Sequence, residues 1–417
     1  MGFVRSMTTH HLTMNRSPGR EVLFSTPHDL ISDIQSTVCD RIPVLLFVAV
    51  NRGNFPSIEY IASTIGQKKQ YRTYGIYLKS SPPENIYHAV FHCNGDLEKL
   101  DEIIYRSPPV YIYLQAHGRW IFLFRRIRAL NPGMTIVHEV YDWMEQFIGD
   151  RRKFIENGVF DEEQILSIVS DEAYTRQHSD LLIYKDGGSW IEKRATNANA
   201  RTLKLYPCPP YRWMRAPKIS SRSNILRLVY AGQVMNNRAP PEIFGDLNYL
   251  HLIKELTLQG AELTIFNSVY SSRELSKDLF REYYIEMHKN PRFIFRDGIE
   301  MPRIISALHG VYDYGLVLFD FDQNTAVGDK HIKETMASKI FTYLSAGLPV
   351  VVSEELSNMA NFVRENGIGI VVGKDDQKNL ISNLRSIDAH RFTKNIKDAQ
   401  KKYCIERFID EFVAWMD

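Results

Sequence analysis

The chain has 417 residues, enough for two ordinary domains, and its 44% hydrophobic and 24% charged residues are typical of a globular protein in water. A formal net charge of +2 gives no reason to expect nucleic acid as a main partner. The four scattered cysteines form no C-x-x-C pair, which argues against a zinc site or a disulfide framework. No run approaches the roughly 20 apolar residues of a membrane-spanning helix, and residues 1–20 lack the apolar core of a signal peptide, so we expect a cytoplasmic protein.

The first half of the chain alternates strand-like and helix-like runs. Residues 1–40, rich in His, Thr, Ser and Pro near their start, are expected to be a loosely ordered lead-in. The apolar run 42–50 is followed by a loop and a helical pattern at 57–65, as at the start of a nucleotide-binding α/β domain, although no G-x-G-x-x-G motif is present. Further strands separated by helical patterns predict a mainly parallel sheet within 41–210, and they lie at 71–78, 110–114, 134–140, 181–184 and 201–205.

A proline-rich stretch divides the chain. Residues 207–217 (PCPPYRWMRAP) carry four prolines and predict a stiff linker, centred on 211–217. The strand–helix rhythm then restarts over 218–400, and the residues of 401–417 repeat apolar side chains at helical spacing. The sequence therefore predicts an α/β protein with two parallel sheets joined by a hinge. The strands expected in the second sheet are 225–231, 262–266, 292–295, 314–319, 350–352 and 367–372.

The segment 338–353 (SKIFTYLSAGLPVVVS) combines a helix, a stop and a buried strand. Gly347 occupies the left-handed position that ends a helix, and Pro349 forbids its continuation. The β-branched run 350–352 is typical of a strand buried on both faces. The N-terminus of the helix, which carries Lys339, presents free N–H groups and a positive dipole end, and these features together favour a bound phosphate.

This segment resembles the late donor-domain motif Y-[LM]-x-x-G-x-P-V-V of GT-B glycosyltransferases of the GT4-like, group 1 type. Residues 228–234 (LVYAGQV) resemble the strand and glycine loop that open that domain, 293–299 (FIFRDGI) the segment that brackets the base, and 307–320 the "ADVGLVP" strand. The resemblance implies the GT-B fold, in which two Rossmann-like domains with parallel sheets face each other across a cleft. The acceptor domain would be 41–210, the donor domain 218–400, and 401–417 would return to the first domain.

The resemblance also implies donor-binding residues. Gly232 would lie in the glycine loop, and Arg238 and Lys339 would bind the diphosphate, because a metal-free GT-B site neutralises it with cationic side chains and helix N-termini. Retaining members place two glutamates, spaced E-x7-E, near the donor sugar. Glu334 occupies the first position and would be catalytic, whereas Thr342 replaces the second and would lie with the donor-binding residues. This departure weakens the match to the retaining pattern.

A second resemblance, to the xanthan-pathway glucuronosyltransferase type, covers a K-[LI]-[LF]-x-Y helix without the second glutamate. That type inverts, with an aspartate base after a strand of its first domain. The corresponding run TIVHEVYDW makes Asp142 the candidate base, and a helix-capping aspartate is the alternative interpretation. His138 and Glu139, at the same strand end, could replace it. His117 could face the acceptor or be an ordinary loop histidine.

Three other motifs receive structural interpretations. The D-x-D at 320–322 is interpreted as a polar loop, so that no metal site is expected. Residues 186–188 (DGG) are interpreted as a strand-to-helix turn, with a glycine loop that faces the cleft as the alternative. Residues 119–128 (RWIFLFRRIR) predict a core-facing helix with a basic outer surface. The alternative for that helix is a membrane-surface patch, which would place the protein at the inner face of a membrane.

Together these features predict a glycosyltransferase of the hexosyltransferase type (EC 2.4) that acts in polysaccharide biosynthesis. It would move a sugar from a nucleoside diphosphate, with a UDP-sugar as the foremost candidate, to a hydroxyl of a glycan or lipid-linked acceptor, without a metal or other cofactor. Two alternatives stay open: a nucleotide-sugar 2-epimerase, and a non-catalytic GT-B module that binds a sugar nucleotide or partner without turnover. Thr342 is the residue that keeps the second alternative open.

Overall fold

Two parallel β-sheets organise the computed structural model, which describes residues 21–51, 56–68, 70–80, 85–186, 201–218, 225–267, 277–319 and 325–417. The first sheet has eight strands in the order β1-β4-β3-β2-β5-β6-β7-β8, and every neighbouring pair is parallel. Its strands are β1 Val22–Phe24, β2 Val44–Ala49, β3 Arg72–Tyr77, β4 Ala89–His92, β5 Tyr111–Gln115, β6 Thr135–Val140, β7 Leu181–Tyr184 and β8 Arg201–Lys204.

Helices cover both faces of this sheet, as a parallel sheet with buried strands requires. The six residues of β2 are all buried, and separate apolar cores lie on the two faces. The helices are α1 Pro27–Cys39, α2 Ser57–Ile65, α3 Leu97–Arg106, α4 Phe122–Leu130, α5 Met144–Phe147, α6 Arg151–Glu156 and α7 Glu162–His178.

The second sheet has six parallel strands in the order β11-β10-β9-β12-β13-β14. They are β9 Arg227–Ala231, β10 Glu262–Phe266, β11 Phe293–Arg296, β12 Tyr314–Val317, β13 Val350–Ser353 and β14 Gly369–Val372. The surrounding helices are α8 Pro241–Phe244, α9 Leu250–Leu258, α10 Arg281–Lys289, α11 Arg303–Leu308, α12 Asp329–Glu334, α13 Ser338–Ala346, α14 Ser357–Asn366, α15 Leu380–Ser386, α16 Phe392–Tyr403 and α17 Ile405–Met416. The two predicted parallel sheets are confirmed. Among the described residues no helix is both long and apolar enough to cross a bilayer.

The beginning of the described chain differs from the expectation of a loosely ordered lead-in. Residues 1–20 of that predicted lead-in lie outside the described residues, whereas 21–40 form β1 and α1, and β1 adds a parallel strand beside β4. The Thr26 side chain caps α1, Pro27 begins it, and its residues Leu30 and Ile34 are fully buried. Strands β1 and β4 have only three and four residues, too few for a periodic pattern to reveal them.

Tyr343 joins α13 to the centre of the second sheet. Strands β9 and β12 pair over only two residues and then separate, as parallel strands do at a topological switch point. The fully buried Tyr343 hydroxyl accepts a hydrogen bond from the Ala231 amide (2.8 Å) and donates one to the Leu316 carbonyl (3.0 Å). Gly315 leaves room for the ring, because a Cβ there would overlap it. Gly347 ends α13 at φ 74°, which confirms the predicted left-handed stop.

The last helix packs on the first domain. The apolar face of α17, which includes Ile409 and Phe412, lies in the same core as Leu45, Phe47 and Tyr113 of the first sheet. The linker contacts the second domain instead, since its Arg215 amide donates to the Ser345 carbonyl near the end of α13 (2.8 Å). The chain therefore crosses between the two domains twice.

We expect Tyr343→Phe to lower the free energy of unfolding by about 1–3 kcal/mol, because it leaves the buried Leu316 carbonyl without its hydroxyl donor and removes the acceptor of the Ala231 amide. The measurement is urea denaturation followed by far-UV circular dichroism. Tyr105→Phe is the matched control, since Tyr105 is 71% exposed, and it should stay within about 0.5 kcal/mol of the wild type. Equal stability of the Tyr343→Phe protein and the control would contradict the role given to these bonds.

Candidate functional site

The carboxyl edges of the two sheets meet. Tyr141, just after β6, hydrogen-bonds through its hydroxyl to the Ser338 side chain at the start of α13. Asp186, two residues after β7, accepts a hydrogen bond from the Met336 amide (3.0 Å), just before α13. Ligands of open α/β sheets bind outside the carboxyl ends of the strands, so this meeting edge is the candidate site.

On the second-domain side, Lys339 lies across Gly232. A Cβ at position 232 would overlap the Cε atom of Lys339, so glycine is the residue that allows this approach. The Lys339 Nζ atom also lies 5.4 Å from the centre of the Tyr230 ring and 5.1 Å from that of Phe319. Burial lowers the pKa of Lys339 to about 8, although the nearby Asp246 favours its charged form. A bound anion would stabilise the charged form of a lysine in such surroundings.

A cavity of about 670 Å³ opens at the carboxyl end of β11, two strands from Gly232. Its walls come from residues 295–299 together with Lys277 and Tyr284. The resemblance found in the sequence gives residues 293–299 the role of bracketing a base. The cavity and Lys339 lie along one edge of the second sheet.

On the first-domain side, Lys185 is held between two carboxylates. Its Nζ lies 3.0 Å from Oδ1 of Asp142 and 2.7 Å from Oδ1 of Asp186, and its side chain is 5% exposed. Burial opposes the charge of Lys185, but the two carboxylates outweigh it and raise its pKa. Burial would raise the pKa of Asp142, yet Lys185, with His331 and His117, outweighs burial and lowers it to about 2. Asp142 is therefore an ionised carboxylate, and its side chain is partly exposed.

Two histidines, one from each domain, interact electrostatically with this cluster. His117 follows β5 of the first domain, and His331 lies on α12 of the second. Burial lowers the pKa of each, while Asp142 opposes that shift in both. Both imidazoles are consequently neutral at pH 7. The structure thus places His117, the possible acceptor-side residue, near Asp142, the candidate base, while both roles stay predictions. It also brings Lys185, Asp186 and His331 to the same cluster.

The remaining predicted donor residues are placed differently. Glu334 ends α12 and accepts a hydrogen bond from the Gln146 side chain across the cleft (3.3 Å). Arg238 is exposed, and its guanidinium has no hydrogen bond or ion pair within the described ranges. Thr342 is buried and donates its hydroxyl to the Ser338 carbonyl of its own helix (3.3 Å), and its place beside the donor stays a prediction.

His138 and Glu139 are packed inside the first domain and correct the expectation that they face the acceptor. His138 is fully buried, stacks on Phe124 of α4 at 5.3 Å, and hydrogen-bonds to the Ala116 carbonyl. Glu139 points to the opposite face, as alternation along a strand requires. It accepts hydrogen bonds from three buried side chains, which are those of Ser57, Tyr113 and Gln115. Burial raises the pKa of Glu139 against these bonds.

The turn after Asp142 is fixed by a buried glutamate. Glu172 of α7 is fully buried and accepts hydrogen bonds from the amides of Met144 (2.6 Å) and Glu145 (3.0 Å) at the start of α5. Burial raises the pKa of Glu172 to about 7, although both amides favour its charged form. Glu172 therefore anchors the segment that follows the candidate base.

Beyond α5 the two domains touch through their backbones. Ile148 and Val327 form an antiparallel bridge, and the Gly328 amide donates to the Phe147 carbonyl (3.1 Å). A Cβ on Gly149 would lie 2.6 Å from the Cα of Gly328, so neither position has room for a side chain. This interdomain bridge joins the turn after α5 to the segment just before α12.

Of the three motifs interpreted as structural in the sequence, the basic helix α4 is fully described. The D-x-D at 320–322 and the glycines at 187–188 lie outside the described residues. Within the described ranges no group of three His, Cys, Asp or Glu side chains could hold a metal ion. The arginines of α4 are used internally, because they pair with carboxylates of α3, α7 and the following turn; the pairs are Arg125–Asp171, Arg126–Asp101 and Arg128–Asp180.

One signal in the sequence could have located Lys185 and Asp186. Both directly follow the predicted strand 181–184, the same position relative to a parallel strand that identified Asp142. No comparable signal marks His331, which reaches the cluster only because the second domain folds against the first.

Residues 263–414 match the family described as glucosyltransferase 3-like, C-terminal domain. None of the curated proteins matches the chain.

Several solved structures share the fold. HepE of Anabaena, solved in complex with UDP-glucose, is 12% identical, with a TM-score of 0.59 over 89% of this chain and 99% of its own. The N-terminal domain of Candida albicans trehalose-6-phosphate phosphatase is 9% identical, with a TM-score of 0.54 over 89% and 96%. Burkholderia multivorans trehalose 6-phosphate synthase is 11% identical, with a TM-score of 0.51 over 89% and 98%. The chain has the GT-B fold, as the resemblance found in the sequence implied.

We expect Glu172→Gln to change how stability depends on pH. The folded pKa of about 7 exceeds the unfolded value of about 4.3, so the folded state binds the proton more tightly, and Glu172 contributes most at low pH. That contribution falls by about 2–4 kcal/mol as pH rises from about 4 to above 7, and glutamine removes this dependence.

The measurement is urea unfolding of both proteins at about pH 4.5, 5.5, 6.5 and 7.5, a range that spans the unfolded and folded pKa values, with the difference in free energy plotted against pH. Relative to the wild type, Glu172→Gln should gain stability steadily across this range. The control is Glu163→Gln on the exposed side of the same helix. A difference that is constant with pH would refute the assignment.

Proposed function

We propose that this protein transfers a hexosyl group from a UDP-sugar to a hydroxyl of a glycan or lipid-linked acceptor. The observation that carries the proposal is that Lys339 lies across Gly232, at the switch point of the second sheet, where the ionised Asp142 of the first sheet favours its charged form. A site for a departing diphosphate and a carboxylate for an incoming hydroxyl thus share one cleft.

The donor would lie along the carboxyl edge of the second sheet. Lys339 and the N-terminal amides of α13 would bind the diphosphate, and the cavity beside residues 295–299 would hold the base. The two sites are separated by about two strand spacings, about 10 Å. The solved complexes of HepE with UDP-glucose and with UDP support uracil as the first base to test.

The reaction needs one proton transfer and one bond exchange. The acceptor hydroxyl attacks the anomeric carbon while its proton passes to a carboxylate oxygen of Asp142. The bond between that carbon and the phosphate oxygen breaks, and its electron pair leaves with UDP. Lys339 stabilises the charge that develops on the departing diphosphate. This single displacement, with Asp142 as base, would invert the anomeric carbon.

Two alternatives make different demands on the site. A nucleotide-sugar 2-epimerase requires no acceptor and would convert its donor to an isomer, which NMR of the sugar nucleotide detects directly. A non-catalytic module would bind the nucleotide without releasing UDP. The ionised carboxylate of Asp142, beside Lys185 and His117 and partly exposed, favours a catalytic site over such a module.

We expect Lys339→Met to weaken the binding of UDP by about tenfold or more, because a charge-assisted contact contributes about 1.5–3 kcal/mol. The measurement is isothermal titration of the full chain with UDP and with UDP-glucose. The matched control is Lys333→Met, an exposed lysine of the neighbouring helix α12, which should bind within about twofold of the wild type. Equal affinity of the Lys339→Met and wild-type proteins would remove Lys339 from the site.

We also propose that transfer proceeds without a metal ion, with cationic side chains in its place. Release of UDP from UDP-glucose, measured by a coupled assay, should therefore be unchanged by excess EDTA and by added magnesium or manganese. Loss of activity in EDTA, restored by either cation, would contradict this proposal.

A further inference from the structure

The Lys185 ammonium is the link between two groups that belong to different domains. On one side it holds Asp142, the candidate base, at 3.0 Å. On the other it holds Asp186 at 2.7 Å, and the same oxygen of Asp186 accepts the amide of Met336 in the second domain (3.0 Å). Met336 comes three residues before Lys339. An unbroken chain of polar contacts therefore runs from the base to the head of the phosphate-binding helix.

The contacts that Lys185 makes in this series are largely shielded from water. Asp186 is 2% and Lys185 5% exposed, so neither contact is weakened by water. The Lys185 Nζ also lies 4.3 Å from the centre of the Tyr141 ring, and the Tyr141 hydroxyl bonds to Ser338 of the same helix start. A buried lysine is costly unless carboxylates compensate its charge, and both compensating groups here have a second task at the cleft.

Building on the proposed function, we propose that Lys185 and Asp186 are positioning residues that fix the Asp142 carboxylate relative to the head of α13, so that the acceptor-activating group is ordered only when the two domains are closed. Neither residue touches the reacting atoms. Their effect is on distance and orientation, to which transfer reactions are sensitive at the scale of an ångström.

Removing the Lys185 charge also changes the acid strength of the base. The charged and titratable groups that act on Asp142 come from both domains. They are Tyr141 after β6, Lys185 and Asp186 after β7, His117 after β5, His331 on α12 and Lys339 on α13. Without Lys185, burial and the Asp186 carboxylate would raise the pKa of Asp142.

The test uses the full chain and the variants Lys185→Met and Asp186→Asn, with Lys204→Met as the control. Lys204 lies on the adjacent strand β8, directly opposite Tyr184, with its Nζ over the Tyr206 ring. The first measurement is amide hydrogen exchange of the peptide 335–341 without ligand. The second is the pH dependence of UDP release from UDP-glucose, and the third is the affinity for UDP.

We expect exchange in 335–341 to accelerate at least about fivefold in Lys185→Met and to a smaller extent in Asp186→Asn, but not in the control. We expect UDP release by Lys185→Met to fall at least about tenfold at pH 7, and its acid limb to move up by about one pH unit or more, while UDP binds within about threefold of wild type. A merely structural ion pair would not move the acid limb. The milder Asp186→Asn serves if Lys185→Met does not fold.

Unchanged exchange, or an acid limb that stays in place, would overturn the inference. If the wild-type protein releases no UDP from UDP-glucose, the proposed function fails in its present form. The exchange measurement, which needs no substrate, then decides by itself whether Lys185 and Asp186 fix the head of α13.

Discussion

The Tyr343 hydroxyl is the interaction on which the second domain and its half of the site depend. Where β9 and β12 separate, the Ala231 amide of β9 and the Leu316 carbonyl of β12 do not pair with each other. Tyr343 bonds to both, and its ring fills the space that Gly315 leaves open. The helix that carries this tyrosine is thereby placed with its N-terminus at the cleft, and Lys339, one turn earlier, lies across Gly232. The two Tyr343 hydrogen bonds therefore link the separation of β9 and β12 to the position of α13 and of its Lys339.

The other half of the site is governed by compensation of charge. A lysine with 5% exposure is stable only because Asp142 and Asp186 neutralise it, and this neutralisation keeps Asp142 ionised. Charged and titratable groups of the two domains interact in the cleft. His331 of the second domain interacts with the carboxylates of the first, and Asp142 of the first favours the charged form of Lys339. Neither domain alone contains the full set, so the properties of the site are those of the closed pair.

Much of the fold could be predicted, because buried parallel strands are continuous apolar runs and the breaks between them contain glycine and proline. Strands β7 and β10 have the predicted bounds, and Gly347 ends its helix as expected. Strand alternation also implies that His138 and Glu139 point in opposite directions, so at most one of them could have faced the acceptor. The Lys185–Asp142 pair could not be predicted, since spacing along a chain does not state which strand ends become neighbours. The role of His331 was even harder to predict from the sequence, because its position depends on domain closure.

The double crossing of the chain has a consequence for biosynthesis. The face of the first sheet that carries Leu45, Phe47 and Tyr113 is covered in part by α17, whose residues are translated only after the entire second domain. The first domain therefore leaves the ribosome with part of this apolar face still open, and the second domain can fold before the first is complete. Domains usually fold in the order of their synthesis, and here the order of completion is reversed. During that interval the open face is the part of the nascent protein that most needs a chaperone.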